Sequence, residues 1–246
     1  MAAVRATTRT LLLLLAGSAL LHTTVLTDLY LRYVKPGLQP LLVASAVLLL
    51  AAGTLSAVRD GFPFLSRGAG RPGPADGRAP AVALLLFVPV LLLLFAPPAP
   101  LGVYSATRAA PQEVPDQSPS AFLPLPEADP LPLSLTQFTA RVTRDSTGAV
   151  AGRNVRLHGF TVPGDDGADY LARHVVTCCA ADARTLRVVL HGARGLVPGR
   201  WVEVEGRWRP EGVPGTSSAG VGLDVSRVRT VPAPAQPYLD VPPAGR

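Results

Sequence analysis

Two adjacent cysteines followed by a carboxylate are the residues in this chain best suited to chemistry. Cys178 and Cys179 are its only cysteines, and Asp182 follows in the run R-H-V-V-T-C-C-A-A-D-A, Arg173–Ala183. Thiolates and carboxylates ligate metals, and thiolate donors select soft or borderline cations such as Zn²⁺. His158 and His174 are imidazoles that a small domain could bring to the pair. A disulfide between neighbouring cysteines would strain the joining peptide bond, and no C-x-x-C redox motif is present. Three readings stand side by side. Cys178, Cys179 and Asp182, with His158 or His174, bind a metal or carry thiol chemistry; the cysteines pack, one in the core and one in a tight turn; or the pair belongs to an interface.

The elements that must position this run read as a small β-domain. Ser134-Leu135-Thr136-Gln137 has the form of a capping box and predicts a helix over Leu135–Arg144. Five strand candidates follow: Asn154–Val162, Tyr170–Thr177, Leu186–His191, Trp201–Trp208 and Val221–Val228. Their alternating apolar residues and glycine-bearing turns predict five antiparallel strands in a small barrel of OB type over residues 133–231. The expected fold class is therefore an all-β OB-like barrel with one short helix, anchored to a membrane by N-terminal helices. Residues 97–132 are rich in proline and read as a spacer, and residues 232–246 as a disordered tail.

The 246 residues are 48% hydrophobic but only 16% charged. Leucine-rich blocks predict membrane spans over about residues 11–30, 39–58 and 80–96, within a transmembrane region 1–96. The net charge of +6 comes from arginine, with Lys35 the single lysine. Arg59, Arg67, Arg71 and Arg78 crowd one short loop, which the positive-inside rule places in the cytoplasm. Three spans then put the β-domain outside the cytoplasm. His22, in the first span, is an intramembrane ionisable group, so it is a candidate for function or for a bond to a neighbouring helix. No basic run interleaved with aromatics is present, which argues against nucleic acid as a partner. No nucleophile triad, P-loop, Rossmann fingerprint or zinc-protease motif is present, so no catalytic residue is expected and the chain does not read as an enzyme.

The order of segments resembles a known family. Apolar spans are followed by Y-V-K-P-G-L-Q-P at Tyr33–Pro40, a proline-rich linker, H-G-F-T-V at His158–Val162, the C-C-A-A-D-A run, and W-V-E-V-E-G at Trp201–Gly206. This resembles the YcgQ-type bacterial membrane proteins, which are regarded as permease subunits. The matching positions are Gly159, Phe160, Arg173, Cys178, Cys179, Asp182, Trp201 and Gly206. Lys35-Pro36-Gly37 departs from the family's more usual His-Pro-Arg. The resemblance implies an accessory subunit in the cell membrane, with a multi-spanning permease and membrane lipid as partners and a link to metal-ion homeostasis.

Overall fold

The computed structural model describes residues 2–59, scattered positions between 85 and 96, and residues 99–109, 122–164 and 167–243. The chain forms two compact units, Met1–Ala99 and Pro100–Arg246.

The first unit is a pair of apolar helices, α1 (Ala2–Leu21) and α2 (Gln39–Arg59). Gly17 and Gly53 let them approach closely: a Cβ on Gly17 would lie 2.8 Å from Leu50 Cγ, and one on Gly53 2.8 Å from Leu14 Cδ2. Small residues at such contacts are the common solution for helix pairs in lipid. α1 runs on through a π-helical turn, His22–Leu26, where Thr24 Oγ1 donates to the Leu20 carbonyl at 2.7 Å. Two segments, Thr8–Leu26 and Pro36–Arg59, are long and apolar enough to cross a membrane by length and composition. Most of the expected third span, 80–96, lies outside the described residues.

The second unit holds strands β1 (Leu131–Pro132), β2 (Asn154–Pro163), β3 (Asp169–Val175), β4 (Arg184–His191), β5 (Trp201–Arg209) and β6 (Gly222–Thr230). It also holds helices α3 (Val103–Arg108) and α4 (Leu135–Arg144). The strands form one six-stranded sheet in the order β1-β2-β3-β4-β6-β5, with β2 also bonded to β5. This corrects the expected architecture. In place of the expected all-antiparallel five-stranded barrel of OB type there is a mixed six-stranded sheet, in which β1 runs parallel to β2 and β4 parallel to β6. Alternation of apolar residues reports a strand's faces and not its direction relative to a neighbour, so the parallel pairings left no trace in the pattern.

α4 begins as its capping box requires: Ser134 Oγ accepts from the Gln137 amide and Gln137 Oε1 from the Ser134 amide, both at 3.1 Å. Its buried face places Leu135, Phe138 and Val142 among Leu157, Leu171, Val188, Val204 and Trp208 of the sheet. Full burial of a side chain such as Phe138 is worth about 1.5–3 kcal/mol. A second, smaller cluster lies on β2. There Phe160 and Val162 meet Ala172 and Ala106 of α3, with Trp201 and Val103 at its edge. Residues 103–108, expected to be spacer, are thus a helix that covers the sheet.

The segment after β6 also differs from the expected disordered tail. Tyr238 is buried, and its hydroxyl accepts from the Leu101 amide at 2.9 Å. Asp240 reaches the open end of α4. Its carboxylate accepts from the Thr136 amide at 2.7 Å, the Thr136 hydroxyl at 2.6 Å and the Leu135 amide at 3.3 Å. An anion at the first turn satisfies orphan amides and complements the helix dipole.

The same carboxylate lies 3.3 Å from Nε of Arg173, whose side chain is only 1% exposed. Removing one partner of a buried ion pair strands the other charge, at about 3–5 kcal/mol. Asp240→Ala is therefore expected to cost the second unit about that much, read as a lower denaturant midpoint. A midpoint equal to that of the native chain would refute a stabilising role for the Arg173–Asp240 pair.

Candidate functional site

The two cysteines occupy the connection between β3 and β4, whose antiparallel register ends at Val175 and Arg184. Val176 tucks into the core, Cys178 is exposed, and Cys179 and Asp182 are half-buried. Ala180–Asp182 forms one 3-10 turn capped in both directions by Cys179 and Asp182. Asp182 organises the loop. Its Oδ1 accepts from the Thr177 amide at 2.8 Å, and its Oδ2 from the amides of Cys178 at 2.8 Å and Cys179 at 3.4 Å. The short residues around it leave these amides free to converge on a single carboxylate.

The Sγ atoms are 3.7 Å apart, and one donor atom from each of Cys178, Cys179 and Asp182 lies within 4.8 Å of the others. A hydrogen bond from the Cys178 thiol to Asp182 is the largest cause of two opposed shifts. It pushes the thiol up to about 11 and, with the backbone amides, holds the carboxylate down at about 2. Without a cation, Cys178 is a protonated thiol despite its exposure, which does not suit it to act as a nucleophile.

The two expected imidazole ligands lie elsewhere. His174 is buried, with Nδ1 3.0 Å from the Thr185 hydroxyl and Nε2 3.2 Å from the Gly102 carbonyl. Both ring nitrogens are therefore occupied, and burial lowers its pKa. His158 belongs to a second cluster. Its ring centroid is 5.1 Å from that of Trp201, and its Nδ1 is 3.3 Å from a guanidinium nitrogen of Arg173. Burial, reinforced by the Arg173 charge, holds its pKa down at about 4.

Arg173 is the hub of that second cluster. It donates to the carbonyls of His158 and Leu239, pairs with Asp240, and lies 5.2 Å over the Trp201 ring. Phe160 packs edge-on against the same indole. The remaining motif residues have steric reasons. A Cβ on Gly159 would lie 2.6 Å from the Ala172 carbonyl oxygen, and one on Gly206 would overlap the Asp224 carbonyl where β5 and β6 shift register. Gly159, Phe160, Arg173, Trp201 and Gly206 thus hold the fold, while Cys178, Cys179 and Asp182 form the one cysteine-bearing donor cluster among the described residues. Sequence reasoning missed Asp240 and Leu239, because a lone Leu-Asp in a proline-rich segment carries no periodic signal.

Residues 139–239 match the family model described as the DUF1980 C-terminal domain. That is a distinct named family, so the resemblance to YcgQ-type permease subunits is set aside, and the permease and transport reading with it. No curated protein and no solved structure matches the chain.

Two outcomes follow. Asp182→Asn should return the Cys178 thiol toward its ordinary value and speed its alkylation near pH 8 by roughly tenfold or more, read by mass spectrometry; an unchanged rate would contradict the Cys178–Asp182 bond. His158 takes up a proton less readily folded than unfolded. Its share of stability is therefore complete above its unfolded value of about 6.5 and is lost as the pH falls toward about 4. His158→Gln should flatten that part of the stability–pH curve relative to the native chain, with denaturant midpoints as the measure.

Proposed function

We propose that this protein is a membrane-associated cation-binding module whose ligands are the thiolates of Cys178 and Cys179 and the carboxylate of Asp182. One observation carries the reading. Two thiolates on adjacent vertices of a tetrahedral Zn²⁺ site, with Zn–S bonds near 2.3 Å, lie about 3.8 Å apart, and the Cys178 and Cys179 sulfurs are 3.7 Å apart. The donor spacing suits such an ion without rebuilding the loop.

The donor set also sets the class of cation. Two sulfurs favour Zn²⁺ or a softer ion over Mg²⁺ and Ca²⁺, which demand oxygen. Binding exchanges two thiol protons for the cation. Asp182 does double duty: Oδ2 accepts from two backbone amides and Oδ1 from one, which leaves an Oδ1 lone pair for a cation. The two apolar helices support attachment to a membrane.

The test is metal content of the full chain, purified in detergent without chelator and then titrated with Zn²⁺. About one equivalent is expected, with loss of binding in the Cys178→Ser/Cys179→Ser double variant and roughly tenfold or more weakening in Asp182→Asn. Equal Zn²⁺ binding by the native chain and the double variant would reject the site.

A further inference from the structure

The cation site is built from one side only. Cys178, Cys179 and Asp182 all come from one turn between β3 and β4, and among the described residues no further His, Cys, Asp or Glu joins them. The imidazole nearest in sequence, His174, has both nitrogens engaged and is only 2% exposed. His158 is held against Trp201 and Arg173. Zn²⁺ and its analogues take four ligands at a closed site and keep one position open where chemistry or exchange occurs. Cys178 lies at the exposed rim of the turn.

We infer that the fourth coordination position faces solvent and is completed by a thiolate from another molecule, so that the cation passes to or from that molecule by ligand exchange. This rests on the cation-binding reading above. A thiolate suits the position because the cation that two sulfurs have selected also favours a third. In the exchange the incoming thiol gives its proton to solvent, its sulfur forms the new bond to the cation, and the water it replaces leaves. The turn need not move, because Asp182 keeps its bonds to the amides of Thr177, Cys178 and Cys179 throughout. An open, pre-shaped, three-donor cradle suits transfer, whereas storage favours a closed four-ligand site.

The test uses the full chain in detergent, loaded with Co²⁺ without oxygen, with the Cys178→Ser/Cys179→Ser variant as background. Titration with 2-mercaptoethanol should raise the sulfur-to-cobalt charge-transfer absorption by about half, as two thiolates become three. Release of Co²⁺ to a competing chelator should speed up in proportion to chelator concentration. A Co²⁺ spectrum that is present but indifferent to the thiol, with release independent of chelator, would overturn the open position and leave the cation site standing. Absence of any Co²⁺ spectrum would overturn the cation site itself.

Discussion

A guanidinium buried to 1% exposure is the constraint on which the second unit depends. Such a charge is tolerable only beside a counter-charge and hydrogen-bond acceptors. Arg173 meets that condition with partners far apart in sequence: the His158 carbonyl in β2, the Leu239 carbonyl and the Asp240 carboxylate. Asp240 in turn closes the amino end of α4. One ionic contact therefore ties a central strand, its neighbour, the covering helix and the segment after the last strand into one network. Burial lowers the pKa of Arg173 and the Asp240 charge raises it, and a guanidinium stays charged through such opposition.

The cysteine turn is separated from that network by a few residues of β3, and its construction is independent. Fold integrity comes from apolar packing and the Arg173 contacts, whereas the turn is shaped by one carboxylate and three amides.

Much of this was legible in the sequence. The reciprocal capping of Ser134 and Gln137 placed α4, and the β-branched alternation placed five strands to within a residue or two. The Cys-Cys-x-x-Asp spacing named the donor cluster. What stayed hidden was non-local. The parallel pairing of β4 with β6 depends on three-dimensional adjacency that no periodicity encodes. α3 is six residues within a proline-rich stretch, too short for a helical pattern to emerge. His158 and His174 looked like ligands because imidazoles are good ones, and only their neighbours (Trp201 and Arg173, Thr185 and Gly102) show them otherwise engaged. Gly159 and Gly206 were visible as motif positions, but their reason is the approach of facing carbonyls.

The contact between Asp240 and the first turn of α4 spans 105 residues. On the ribosome those two ends are made at different times. At about 5–20 residues per second, the Leu135 amide waits roughly 5–20 s for the carboxylate that will cap it. Arg173 is made later than Leu135, and from its own synthesis until that of Asp240 it too lacks its counter-charge. The contacts that neutralise Arg173 and cap α4 can therefore close only once the segment after β6 has been made.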